Sequence, residues 1–584
     1  MIKRKKLLNI VITVLVLVLV SSAVYAGGSN QNTGTPAAAA ASGPFRIKDQ
    51  NLTEPGTLPV VKNQITLTLG MPVNIQVSDY YDNDLTRYLE KMTGVKLSFI
   101  LYDAGTDGET KLGLQVAAGD KLPDLMLQLG IADQAKREAY GQAGAIIPLN
   151  DYIKNLGFYT NKAVAQTSAA KSGVDPWLYG TADDGTIWGY MSYNTDYSNS
   201  FAARAWYNDD FAKKLGMSSD DWTGGGGKGK IPTQDWFYKY LIGVRDNDVN
   251  GNGDKNDEIP ITGATGWRQQ VLKWITNQYF YNDYASTDKY WFVKNGQLYY
   301  NYDTPEYRDA LRFLYKLYNE RLFDESAITQ NAVTLAATVN ANPHKVGIAV
   351  SGGIGIYDAD ARAVYKPIPI VQGPSGFATT TYFEQVPIFP WAISSNSQYP
   401  EAAFRFLDAM ASDPDLYLFT NNGLKGRDWR VALPGEIGLY GDQSGIEPYL
   451  VTLIQTWGNV VTNAQWKAEF GIDYLNRKSS NAWNGDPLLP AYLHGQAIIQ
   501  MVPFKPAEYP VDLIFTSAET QQWAETRTNI RNYVEQTLAQ FSTGQLDIEK
   551  DWDTYVRNLK TLGSDQLLAV DRAAYARMNQ ISGK

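Results

Sequence analysis

Segments that alternate apolar and polar residues are separated, again and again, by segments with helical spacing, and that order commits the chain to layered α/β architecture. Ile65–Gly70 alternates as a strand does. Leu85–Met92 repeats its apolar residues at helical spacing, and Gly94 stands where a C-cap would. Val95–Leu101 reads as a strand, Lys111–Ala118 as a helix, and Leu122–Leu127 as a turn entering a buried strand. The pattern recurs with strand Ala205–Tyr207 and helix Asp210–Leu215. Tyr307–Arg321 is an amphipathic helix, with Thr304 and Pro305 placed as N-cap and first helical residue. Lys345–Val350 and Val386–Ile393 read as strands, Pro400–Met410 as a helix, and the tail beyond residue 520 as largely helical.

A chain of 584 residues is too long for one hydrophobic core, so two or more domains are expected. The formal net charge of −9 argues against a nucleic-acid partner, which would need a basic footprint. Cysteine is absent, which excludes disulfides, thiol nucleophiles, Cys-zinc sites and lipid attachment through Cys. The two histidines, His344 and His494, stand far apart and outside any catalytic spacing. Carboxylate pairs such as Asp183-Asp184 and Asp209-Asp210 read as surface acids or helix starts, because a glycosidase needs its two acids at a defined separation in space.

The N-terminus reads as a secretory leader. Lys3–Lys6 is basic, Leu7–Val20 is apolar and short for a membrane span, and Val24-Tyr25-Ala26 supplies a cleavage site before Gly27. Removal of residues 1–26 would take the net charge from −9 to −13. Residues 27–59 begin with a small, polar run and read as a flexible linker. Without a lipidated Cys, confinement requires a second membrane, so a periplasmic location is favoured over an extracellular one; an uncleaved leader acting as an anchor is the alternative.

Two loops carry chemical signals. In Asp248–Glu258, oxygen-bearing side chains fall at positions 1, 3, 5, 7 and 9, with Gly253 at position 6. A calcium ion wants six to eight oxygens, and the glycine lets the chain wrap around it. Asp248, Asn250, Asn252, Asp254, Asn256, Asp257 and Glu258 are therefore candidate ligands for one structural calcium. The usual Glu at position 12 is replaced by Ile259, with acids at positions 10 and 11 instead. Thr223–Lys230 looks like a phosphate loop at a glance, but Ile231 stands where Ser or Thr would bind magnesium, so a loop before a helix is expected.

Several segments, in order, resemble the family 1 extracellular solute-binding proteins of ABC importers, in particular the large oligosaccharide-binding branch with alginate- and aldouronate-type members. They are Leu85–Glu90 with Thr93-Gly94-Val95, Gly119–Asp124, Ile147–Ile153, Asp184–Gly189, Asp209–Gly216, Asp248–Pro260, Tyr307–Asp324, Pro400–Ala403 and Asn422–Trp429. The resemblance implies two α/β lobes, each a mostly parallel sheet flanked by helices, hinged around a ligand cleft. It places an N-lobe at residues 60–195 and 376–435, and a C-lobe at 196–375 and 436–584. It also implies a calcium loop that ends in Asp-Glu-Ile-Pro, here with one extra residue before that ending.

The function implied is capture of an oligosaccharide, without chemistry, by a monomer that delivers it to a membrane permease. A secreted glycan-active enzyme and a sensing module of a membrane receptor are the alternatives. Aromatic residues make up 12% of the chain, with 15 Trp and 38 Tyr, and sugar rings stack on such side chains. The expected positions of hinge and cleft select Gln128, Trp188, Tyr190, Trp206, Asn208, Trp274, Trp391 and Trp429 as ligand-binding candidates, with Trp457 behind them. For each aromatic, core packing is the competing reading.

Overall fold

The computed structural model describes residues 47–582 apart from 75–76, 172, 195–199, 202, 267, 283–289, 441–447, 454–465, 467–470, 473–479, 484 and 510–512. Contacts group Lys48–Lys584 into one compact unit. Two sheets organise it. The first has the strand order β2(Val95–Tyr102), β1(Ile65–Pro72), β3(Leu125–Leu127), β11(Ile388–Ile393), β4(Tyr190–Ser192). The second has the order β10(Tyr365–Ile368), β5(Ala205–Asn208), β9(Val346–Val350), β6(Ile259–Thr262).

In the first sheet β1 pairs in parallel with β2 and β3, while β11 runs antiparallel to its neighbours β3 and β4. β4 therefore shares the direction of β1, β2 and β3. In the second sheet β6 and β9 are parallel, and β5 runs antiparallel to β9 and β10. Each sheet is thus mostly parallel with one reversed strand. The reversal has a topological cause. β5 and β11 are the strands by which the chain arrives from the other sheet, so each starts at the edge where the other strands finish.

Local chemistry fixes the element ends where the sequence marks them. Asn83 caps the helix Asp84–Thr93 through Leu85 N, and Gly94 closes it at φ 75°. Thr304 accepts from Tyr307 N to start the helix Pro305–Asn319, whose inner face buries Tyr307, Leu311, Phe313, Leu314 and Leu317. Pro400–Met410 is the expected helix. The acids Asp209 and Asp210 form the first turn of the helix Asp209–Lys214, where they oppose the positive end of the helix dipole. The Gly-rich run is a closed loop: Gly224 and Ile231 form a bridge, Gly225 and Gly229 lie over the Phe504 ring, and Thr233 then caps the helix Gln234–Asp246. It holds no phosphate-loop geometry.

The C-terminal part adds a small sheet, β12(Trp429–Val431), β13(Pro448–Thr452) and β14(Ser480–Asn481), and then helices. Helix Ser517–Ser542 packs on Pro305–Asn319, and helix Ser564–Ser582 packs on the hairpin β7(Trp291–Lys294)–β8(Gln297–Tyr300). Ile530, Val534, Leu538, Trp552 and Leu567 of this tail join one core with Phe237, Leu241, Ile261 and Ile348 of the second sheet's layer.

Candidate functional site

Strand direction locates the functional edge. The chain leaves β4 at Ser192 and enters β5 at Ala205; later it leaves β10 at Ile368 and enters β11 at Ile388. The crossing segments therefore border the carboxyl ends of β1–β4 in one sheet and of β6, β9 and β10 in the other. Open α/β sheets bind ligands outside the carboxyl ends of their strands, so both sheets turn their binding edge toward the crossings.

Most of the sequence-selected aromatics lie elsewhere, in the cores. Tyr190 is buried, its hydroxyl held by Thr160 Oγ1 at 2.8 Å and Leu407 O at 3.1 Å. Trp206 is fully buried and donates to Ser351 O, and Trp429 is fully buried and donates to Gly423 O. Trp274 sits in the second sheet's core, and Trp391 is fully buried on β11. Asn208 is buried and serves as the N-cap of Asp209–Lys214. Trp188, half-buried, lies so close on Gly141 that a Cβ there would come within 2.3 Å of its ring. Trp457 lies outside the described residues. As they stand, the buried rings offer no face to a sugar; their bulk fills the layers behind the binding edge.

Gln128 is different. It follows β3 directly, is exposed, and adopts φ 60° with its N–H bonded to Pro390 O at 2.7 Å. Leu129 at φ 51° and Gly130 at φ 81° continue the left-handed run. Non-glycine residues held in this region store strain and concentrate at functional sites. Arg268, at φ 60° in the segment after β6, makes the same signature in the second sheet, and its guanidinium lies 5.3 Å from the Phe383 ring centre in the second crossing.

Two polar groups missed in the sequence lie in these segments. Gln269 is 6% exposed, and its Oε1 is buried with no hydrogen-bond partner. Gln385, in the second crossing, has a buried Nε2 with no partner. An orphaned buried polar atom costs about 1–3 kcal/mol, which a partner group from a ligand would recover. The run Trp267-Arg268-Gln269-Gln270 just after a strand was the available signal.

The loop after β9 is tightly held. Arg204 Nη1 donates to Gly352 O at 2.5 Å, and Ile354 N donates to His494 Nε2 at 2.8 Å. That acceptor role requires a neutral imidazole. Desolvation, aided by the charge of Arg204, pushes the His494 pKa down to about 3. The unfolded state, with a pKa of about 6.5, therefore binds the proton first. Stability from this site is full above about pH 6.5 and is lost as pH falls toward 3. We expect the melting temperature to fall more between pH 7 and 5 in the native protein than in His494→Gln, whose amide oxygen can still accept from Ile354; parallel pH profiles would refute the assignment.

The loop Asp248–Glu258 joins helix Gln234–Asp246 to the amino end of β6, so it lies at the opposite edge of the second sheet from the carboxyl ends. Asp248 accepts from Gly251, Asn252 and Gly253 N at 2.7, 3.1 and 2.8 Å. Asn250 and Asn252 Oδ1 accept from Asn252 and Asp254 N, and each oxygen keeps a second lone pair. Asp254 accepts from Asn256 N, while Asp257 takes the amides of Asn250 and Asn252. Glu258 Oε1 accepts from Asn250 N, and its Oε2 is buried with no partner. Burial, with the charges of Asp257 and Asp248, raises the Glu258 pKa. Among the described residues no three His, Cys, Asp or Glu side chains converge as a metal cluster. The donor set here is mixed carboxylate and amide oxygen, which suits a hard cation, and the orphaned Glu258 oxygen marks where a cation would compensate the loop.

No family model matches the chain. The fructooligosaccharide ABC transporter substrate-binding protein FusA of Streptococcus pneumoniae is 23% identical over 548 residues, spanning 89% of this chain and 91% of FusA. Lipoprotein LipO of Bacillus subtilis is 23% identical over 499 residues, spanning 82% of this chain and 86% of LipO. The structure of FusA with kestose matches at a TM-score of 0.68 and 20% identity, over 88% of this chain and 99% of that one. The chain has the fold of the ABC-importer solute-binding proteins. An EF-hand mutant of FusA with fructo-nystose superposes equally well, at a TM-score of 0.68 and 21% identity over 88% of this chain and 99% of that one. No helix among the described residues is long and apolar enough to cross a membrane.

Proposed function

We propose that this solute-binding protein captures an oligosaccharide between its two sheets and hands it to the membrane permease of an ABC importer. The observation that carries the reading is the meeting of the two carboxyl edges at the crossing segments, with strained Gln128 on one side and strained Arg268 and orphaned Gln269 on the other. Likeness to FusA over nine-tenths of both chains supports a carbohydrate ligand. The protein performs no chemistry on it. The candidate carboxylates Asp183 and Asp184 serve structure: Asp184 accepts from Thr186 N, and Asp183 accepts from Ser517 N at the start of helix Ser517–Ser542. The lobes correspond to the segments around the two sheets, and closure about the crossings buries the sugar. One calcium ion in Asp248–Glu258, held by oxygens of Asp248, Asn250, Asn252, Asp254 and the late acids, braces the second lobe. The leader Met1–Ala26 directs export and is removed.

Isothermal titration against panels of fructans, other oligosaccharides and peptides tests the ligand class. We expect binding to one glycan class, with Gln128→Ala weakening it about tenfold, the equivalent of roughly 1.4 kcal/mol for a lost ligand hydrogen bond. Chromatography of that glycan after long incubation should show unchanged chain length. Binding to peptides alone would overturn the reading, and shortened products would replace it with an enzyme.

A further inference from the structure

A cavity of about 450 Å³ lies wholly on the second sheet's side of the molecule, lined by one face each of four short segments. Ala264 and Thr265 follow β6, Gln270–Lys273 open the helix Val271–Thr276, Ala327 and Ile328 close a short turn, and Glu535–Ala539 come from the middle of Ser517–Ser542. Its size is in the lower part of the range of small-molecule sites, about 300–1,000 Å³. The capture site proposed above does not use these cavity-lining residues.

The wall chemistry is specific. Lys273, whose side chain is 4% exposed, pairs with Glu535 at 2.6 Å. The Tyr290 hydroxyl donates to the same Glu535 oxygen, Oε1. Among the described residues no hydrogen bond to the other oxygen, Glu535 Oε2, is seen, and the side chain is 37% exposed. Gln270 Oε1, also on the wall, is buried and has no partner. The cavity therefore offers two free acceptors between the methyl and methylene groups of Ala264, Leu272, Ile328 and Leu538. Two acceptors call for a ligand with two donors. An ammonium would meet Lys273 at the same carboxylate, and the ion pair leaves no net negative charge to attract it. A neutral diol meets neither objection: carboxylates accept strongly from hydroxyls, and carbon-bound hydrogens suit the apolar wall.

We propose that this cavity is a second ligand site, for a neutral polyol of monosaccharide size, read by Glu535 Oε2 and Gln270 Oε1. The proposal rests on the cavity alone and stands whether or not the capture site binds oligosaccharide. Titration of the full chain with glucose, fructose, mannitol and glycerol, followed by native mass spectrometry and ligand-observed NMR, is the test, with putrescine as the cationic control. At least one polyol should bind, and Gln270→Leu, which keeps the volume and removes the acceptor, should weaken it at least tenfold. Ala539→Phe, which fills the cavity from one turn beyond Glu535, should abolish it. Circular dichroism melts establish that each variant is folded, and oligosaccharide binding at the capture site should survive in both. Putrescine binding in place of the polyols, no polyol binding, or polyol binding indifferent to Gln270→Leu would each overturn the assignment.

Discussion

Asp571→Ala should cost about 3–5 kcal/mol of unfolding free energy. Asp571 is fully buried. Its Oδ2 accepts from Trp291 Nε1 at 2.7 Å and from the Tyr300 hydroxyl at 2.6 Å, and Arg527 donates to both oxygens at 2.8 and 3.1 Å. One carboxylate thus joins the hairpin β7–β8, helix Ser517–Ser542 and helix Ser564–Ser582. Alanine removes the acceptor that the buried Trp291 Nε1–H and Tyr300 hydroxyl share, at about 1–3 kcal/mol each. Arg527, whose side chain is 34% exposed, can turn toward water and limits the total. Asn at this position keeps the shape and one acceptor, so Asp571→Asn should fall between. Urea unfolding followed by tryptophan fluorescence measures the difference. A loss below about 1 kcal/mol for the alanine variant would mean that the tail does not depend on this junction.

None of that junction is visible in the sequence, because its four members stand at 291, 300, 527 and 571 with no shared local pattern. What could be read were features that local chemistry decides. Thr304-Pro305 started a helix because a side-chain oxygen and a fixed φ act within four residues, and Gly94 ended one because only a residue tolerant of positive φ fits there. The strand–helix alternation likewise gave the layer class. The reversed strands β5 and β11 were not legible as reversed, since direction depends on where the chain has come from.

The candidate binding residues divide in the same way. Tryptophan and tyrosine look alike in sequence whether they will face a sugar or a core, and here Trp206, Trp391 and Trp429 are fully buried. Gln128 was selected by its place after a strand, and it does stand exposed directly after β3. Gln269 and Gln385 were missed because the lack of a partner is a property of the folded surroundings and not of the residue. The oxygen-rich loop was legible for the opposite reason: all its groups lie within eleven consecutive residues.

That loop yields the second large effect. Calcium at a hundredfold excess over its dissociation constant should stabilise the protein by about 2.7 kcal/mol, and chelator should remove the whole increment. Magnesium should substitute poorly, because its small, strictly octahedral shell does not suit a loop that offers many oxygens. The choice of variant separates the ion from the loop's own bonding. Asp248 already ties three N–H groups, so its loss would weaken the loop with or without metal. Glu258 is the better probe. Its buried Oε2 has no partner and its pKa is raised, so Glu258→Gln removes an uncompensated charge. Metal-free stability should hold or rise in this variant, while the calcium response is lost. The loop feeds the amino end of β6, and ligand capture is assigned to the carboxyl edge, so glycan affinity should stay near its native value throughout. A melting curve that ignores both chelator and Glu258→Gln would reduce the loop to a solvated turn, whereas a calcium response with collapsed glycan binding would move the ion's influence across the sheet to the capture site.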